Sequence, residues 1–119
     1  IVTLHCPLNE STRNLITAKE FALMKPNSLL INTGRGGLVD EADLVTALQE
    51  GIIGGAGVDV FTQEPADKCN PLVANMALPN LILTPHVAWG SDSAIQKLVD
   101  ILLDNIDDFM LNKYTNRVV

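Results

Sequence analysis

Four short apolar runs constrain this chain more than any other feature: "IVTL" at 1–4, "SLLIN" at 28–32, "GAGVDVF" at 55–61 and "LILTP" at 81–85. A half-exposed strand alternates apolar and polar residues, because successive side chains point to opposite faces. Three of these runs are too continuous for that. They read as strands covered on both faces, the usual state of a parallel sheet.

Helical patterns separate the runs. "TAKEFALMKP" opens with a capping box, Thr17 as N-cap and Glu20 three positions on, and Pro26 stops it. "DEADLVTALQEG" takes Asp40 as N-cap, places acids in its first turn and ends at Gly51, a left-handed C-cap. In "SDSAIQKLVDILLDNIDDFMLNK", Ile95, Leu98, Val99, Leu102, Ile106 and Phe109 recur at three- and four-residue steps. That is one apolar stripe on an amphipathic helix of about six turns. Residues 62–80, rich in Pro, Asn and Asp, read as a long loop of the kind that often carries function. The order predicts an α/β domain with a parallel sheet of about four strands and flanking helices. The tail "YTNRVV" reads as an exit from that domain.

Composition narrows the function. A chain of 119 residues can build one core, and with 47% hydrophobic but only 4% aromatic residues that core is aliphatic. The net charge of −6, with no run of Lys or Arg, argues against nucleic acid and anionic membrane as partners. The apolar runs are far too short to span a bilayer. Cys6 and Cys69 form no CxxC pair and are expected to be free thiols of a cytoplasmic protein rather than a disulfide. With His5 and His86 they lack zinc-finger spacing, so no metal is expected. The opening residues read as the middle of a strand, which suggests a piece of a longer protein.

Ligands of an open parallel sheet bind outside the carboxyl ends of its strands. After the first strand comes His5-Cys6-Pro7; after the second, Thr33-Gly34-Arg35-Gly36-Gly37; after the third, Glu64-Pro65; after the fourth, Pro85-His86. Taken singly, Arg35 could be a surface turn residue, Glu64 an exposed loop acid and His86 a satisfied strand-end histidine. Together they supply an acid/base group, a carboxylate able to orient it and a fixed cation. Asp59, an acid in a buried strand, requires compensation. It either meets a partner at the strand end or accepts hydrogen bonds from a ligand, and its place near the ligand edge favours the latter.

The blocks "HCPLNESTRNLI", "ALMKPNSLLINTGRGGLVDEADL", "GAGVDVFTQEP" and "NLILTPHVAWGS" resemble, in order and spacing, consecutive signatures of the D-isomer-specific 2-hydroxyacid dehydrogenases. "TPHVAWGS", with Trp89 three after the histidine, is most similar to the glycerate dehydrogenase (hydroxypyruvate reductase) branch. The resemblance covers nearly the whole chain. It implies the second half of a Rossmann-type doubly wound cofactor domain over 1–119, with 113–119 leading toward a separate substrate domain. The GxGxxG half and that substrate domain are absent from the sequence, so the choice between NAD and NADP is not readable.

The same resemblance implies roles. Arg35 matches the substrate-binding arginine, His86 the catalytic histidine and Glu64 the carboxylate bonded to it. Cys6, Pro7, Thr33, Gly34, Arg35, Asp59, His86, Ala88 and Trp89 match stretches lining the nicotinamide half of NAD or NADP. Gly34 is a mild departure, since the family often has alanine there. The implied reaction is hydride transfer between NAD(P)H and a small 2-oxo acid such as hydroxypyruvate or glyoxylate. Arg35 would hold the carboxylate, and His86 would protonate the alkoxide. Gly34, Gly36 and Gly37 would let the backbone pass close to nicotinamide and substrate. A homodimer is implied, as is inactivity of these residues alone. The alternative is a non-catalytic, corepressor-like module that uses the cofactor to control assembly.

Overall fold

A computed structural model describes residues 1–117. The chain divides into a first compact unit, Ile1–Val87, and a second that begins at Ala88. Of the exit segment expected over 113–119, residues 118 and 119 lie outside the described residues.

The first unit is built on four parallel strands in sequence order: β1 (Val2–Leu4), β2 (Leu29–Asn32), β3 (Gly55–Val58) and β4 (Leu81–Leu83). Their register aligns Leu4, Asn32, Val58 and Leu83 at the carboxyl edge. The residues that follow, His5, Thr33, Asp59 and Thr84, therefore all emerge on one side of the sheet. β3 stops three residues before the end of its apolar run, which puts Asp59 just beyond the strand.

Three helices connect the strands. In α1 (Ala18–Phe21) the capping box forms as expected: the Thr17 amide donates to Glu20 Oε2 at 2.9 Å, and Lys19 N–H donates to the Thr17 hydroxyl. The regular helix is only four residues long and ends well before Pro26. In α2 (Glu41–Gln49) Asp40 Oδ1 accepts from Ala42 and Asp43, and Gly51 takes the expected left-handed conformation at φ 66°. The third, α3 (Pro71–Ala74), lies inside the segment read as loop. Its signals were in the sequence, since Asn70 caps it and Pro71 occupies the first turn, where a missing N–H costs nothing.

One core holds the unit together. Phe21, Leu44, Leu48 and Leu72 from the helices pack with Leu4, Leu30, Ala56, Val58 and Leu81 from the sheet. The expectation of strands covered on both faces holds for one face only. Thr3, Ile31, Gly57 and Ile82 share the opposite face by register. There Leu29 is 41% and Ile82 70% exposed, because α1, α2 and α3 place their apolar residues in the core of the first face. The small Gly55 and Gly57 also lie on this second face, and Gly57 faces the Ile31 side chain.

The second unit is dominated by α4 (Asp92–Met110), with Ser91 as N-cap. The expected stripe is present, but none of its residues is buried: Ile95, Leu98, Val99, Leu102, Ile106 and Phe109 are 41% to 81% exposed. No helix among the described residues is long and apolar enough to cross a membrane.

Candidate active site

Seven of the candidate residues line two cavities at the carboxyl edge of the sheet. An open cleft of about 680 Å³ is lined by His5, Cys6, Pro7, Leu8, Thr33, Gly34 and Arg35. A second cavity, about 340 Å³, is lined by Glu64 and His86 together with Phe61, Val73, Met76 and Leu83. The Arg35 charge acts on Glu64 across the distance between them, so both belong to one electrostatic neighbourhood.

The pairing of Glu64 with His86 is the central geometry. Glu64 Oε2 lies 2.7 Å from His86 Nδ1. Its other oxygen, Oε1, accepts the Phe61 N–H at 2.9 Å. The Glu64 carboxyl is held below its ordinary value, first by the Phe61 amide and then by the hydrogen bond from His86. Partial burial opposes this, and the charges of His86 and Arg35 add to it. An ionised carboxylate only accepts, so the bond assigns the proton to Nδ1 and makes Nε2 the nitrogen that exchanges protons with a ligand.

The backbone beneath His86 is equally defined. His86 is left-handed, φ 57°, which side-chain-bearing residues seldom adopt. Its N–H donates to the Asp59 carbonyl at 2.7 Å. Asp59 is only 2% exposed, and its Oδ1 accepts from the Thr84 hydroxyl at 2.5 Å and the Val87 amide at 2.9 Å. Of the two ways an acid at the end of β3 can be compensated, partners at the strand end are thus realised for this oxygen, where a ligand was favoured. The polar ends of residues 84 and 87 supply what the apolar sequence around Asp59 does not.

On the other side of the site, Asn32 governs the turn that carries Arg35. This buried amide was absent from the candidates. It accepts from Gly34 N–H at 3.2 Å and donates to the Arg35 carbonyl at 3.1 Å. A polar residue closing an apolar strand was the available signal. Arg35 itself is exposed, and its Nη1 donates to the Gly34 carbonyl at 2.9 Å.

Gly36 has a purpose within the chain itself. A Cβ at Gly36 would sit 1.8 Å from the Phe61 carbonyl oxygen and 2.5 Å from Thr62 N. Gly36 is therefore required by the chain's own loop after β3. Gly37 is left-handed at φ 80°, and a Cβ at Gly34 would come 3.1 Å from the Leu4 carbonyl. The contact at Gly36 joins the Arg35 turn to the segment that presents Glu64. Glu41, read only as a first-turn acid, strengthens the same junction: it accepts from Thr62 N–H at 2.8 Å and from Asn70 Nδ2 at 2.7 Å.

The remaining candidates are placed as follows. Cys6 is half-buried, and Pro7 and Thr33 are exposed in the larger cleft. Ala88 and Trp89 belong to the second unit, with Trp89 57% exposed. Cys6 and Cys69 are free thiols. No group of histidine, cysteine and carboxylate residues suited to a metal occurs among the described residues.

A bound nicotinamide cofactor can be tested against the larger cleft. It opens at the carboxyl ends of β1 and β2, where such ligands bind, and combines apolar walls with the hydroxyl of Thr33 and the cation of Arg35. The residues present fit that use.

Comparison with known proteins agrees. Residues 1–88 match the family described as D-isomer specific 2-hydroxyacid dehydrogenase, NAD binding domain. Glycerate dehydrogenase of Methylorubrum extorquens is 52% identical over 118 residues, 99% of this chain and 37% of that relative. The chain thus spans little more than a third of that protein. The structure of D-lactate dehydrogenase with NAD+ from Lactobacillus jensenii superposes with a TM-score of 0.85 at 33% identity, covering 98% of this chain and 38% of that one. An acyclic imino acid reductase in complex with NADPH and D-Arg gives 0.82 at 37% identity, covering 98% and 36%. The chain belongs to the D-isomer-specific 2-hydroxyacid dehydrogenase family, and its residues 1–88 match the NAD-binding domain.

Proposed function

We propose that these residues are the second half of the cofactor domain of an NAD(P)-dependent oxidoreductase that reduces a small 2-oxo acid, hydroxypyruvate or glyoxylate, to the D-2-hydroxy acid. The observation that carries this reading is the 2.7 Å bond between Glu64 Oε2 and His86 Nδ1, at the carboxyl edge of the sheet that also carries Arg35. When bound, the reduced nicotinamide supplies the hydride.

The rest falls to the chain. Arg35 binds the substrate carboxylate through a forked, charge-assisted contact, which fixes the carbonyl for attack. Reduction leaves negative charge on the carbonyl oxygen, and the Nε2–H of protonated His86 supplies its proton. Glu64 holds the ring through Nδ1, so that proton loss and reloading occur at Nε2 alone. Cys6, Pro7, Thr33, Gly34, Arg35, Asp59 and His86, with Ala88 and Trp89, are the proposed cofactor contacts. The full-length protein is proposed to be a cytoplasmic homodimer, and residues 1–119 alone to be inactive.

The test is oxidation of NADH and NADPH by the full-length protein with hydroxypyruvate and with glyoxylate. Turnover with either acid is the expected result. Tight cofactor binding without turnover on any small 2-oxo acid would point instead to a corepressor-like module.

A further inference from the structure

We infer that Thr84 is a positioning residue for His86: its hydroxyl, pinned to the buried Asp59 carboxylate, holds the left-handed turn that presents the imidazole. This rests on the proposed reading of His86 as proton donor and deepens it.

The turn has to be held from both ends. Thr84 N–H donates to the Val58 carbonyl at 3.0 Å and His86 N–H to the Asp59 carbonyl at 2.7 Å, which carries the chain one step past the end of β4. Pro85, between them, has no N–H to contribute. Beyond the backbone ladder, a single buried oxygen, Asp59 Oδ1, gathers the Thr84 hydroxyl from one side of His86 and the Val87 amide from the other. That oxygen closes the loop around a residue whose φ of 57° is intrinsically disfavoured. The Val87 contact is made by backbone and no side-chain change there removes it. The Thr84 hydroxyl is the contact that the residue type decides.

The imidazole itself is meanwhile held at Nδ1 by Glu64. Ring and backbone must agree for Nε2 to reach the substrate oxygen, and a displacement of about 1 Å can cost 100-fold in rate. Valine matches threonine in shape but cannot donate, and it leaves Asp59 Oδ1 short of one donor in a buried setting. Serine keeps the donor.

The test uses the full-length protein. Thr84→Val is expected to lower kcat by about 10- to 100-fold. The Kd for NADH, read by its fluorescence, is expected to stay within about threefold, since the loss is in the reacting geometry and not in binding. Thr84→Ser is expected to restore kcat. If the valine protein does not fold, Thr84→Ala replaces it, with water able to donate to Asp59 and an intermediate kcat expected. A folded Val or Ala variant with wild-type kcat overturns the inference. So does a Ser variant as slow as Val, or a loss confined to NADH affinity. His86→Gln is measured in parallel. If that variant turns over normally, the reading of His86 itself has failed; if it is inactive while Thr84→Val is unimpaired, only the role of Thr84 is lost.

Discussion

His86 and Arg35 stand on the same edge of the same sheet, yet they are held in different ways. Around His86 both backbone and side chain are tied: Asp59 takes the N–H and brackets the turn, and Glu64 takes Nδ1. Around Arg35 only the backbone is tied, by Asn32 and by the contact at Gly36. The guanidinium is exposed, and its one hydrogen bond among the described residues is to the adjacent Gly34 carbonyl. The contrast fits their chemistry. A proton donor must be placed to a fraction of an ångström before the reaction, whereas a carboxylate clamp can close onto its ligand.

If that contrast is real, the two residues fail in different kinetic parameters. In the full-length protein, His86→Gln is expected to lower kcat by about 10²- to 10⁴-fold, the usual worth of a positioned general acid. The KM for the oxo acid should change little. Steady-state kinetics on both substrates checks this, and wild-type turnover in the glutamine variant would remove His86 from the chemistry.

The next largest effect tests the seam between the two regions. Gly36→Ala places a methyl group inside the Phe61 carbonyl, a clash of Cβ with backbone that no rotamer relieves. The expected loss is about 3 kcal/mol or more in urea unfolding. Gly51→Ala is the matched control: its φ is 66°, but nothing lies within 4 Å of the added carbon. Only the conformational cost applies there, roughly 1 kcal/mol. Equal losses at the two sites would mean that the Gly36 contact does not join the turn to the Glu64 segment.

Arg35→Lys probes the looser side. Lysine keeps the charge but loses the forked geometry, so KM for the oxo acid should rise by about 10- to 100-fold, as loss of a charge-assisted hydrogen bond predicts. kcat should fall less than in His86→Gln. An unchanged KM would take Arg35 out of the substrate site.

The two regions also differ in how well the sequence announces them. Arg35 between glycines at the end of "SLLIN", and His86 after "LILTP", are legible because strand ends in a parallel sheet are where ligands bind. The caps Thr17 and Asp40 and the left-handed Gly51 are legible for a similar reason: they are local chemistry. Contacts across sequence distance are not. Gly36 against Phe61, Glu41 against Thr62 and Asn70, and Thr84 against Asp59 join residues 21 to 29 positions apart, and nothing in either partner's neighbourhood marks the other. The burial of only one sheet face escapes the same way, since a run such as "SLLIN" records a strand's hydrophobicity but not which helices arrive to cover it.

The smallest effect concerns the tie that most distinguishes the His86 side. Glu64 has its carboxyl held below its ordinary 4.5 in the folded protein, chiefly by the Phe61 amide and the His86 hydrogen bond. A depressed folded value means that folding favours the ionised form. The stabilisation is complete above about 4.5 and is lost as the pH falls through the lower, folded value. Both side chains are more than a third exposed, so solvent screens the pair, and the contribution is at most about 1 kcal/mol. Glu64→Gln should therefore unfold slightly below wild type at neutral pH, with the gap closing as the pH drops beneath 4.5. Thermal unfolding of both proteins across that range measures it. A gap that persists well into acid would mean that Glu64 is held by shape and not by its charge, and the tighter hold ascribed to His86 would then rest on Asp59 and the turn alone.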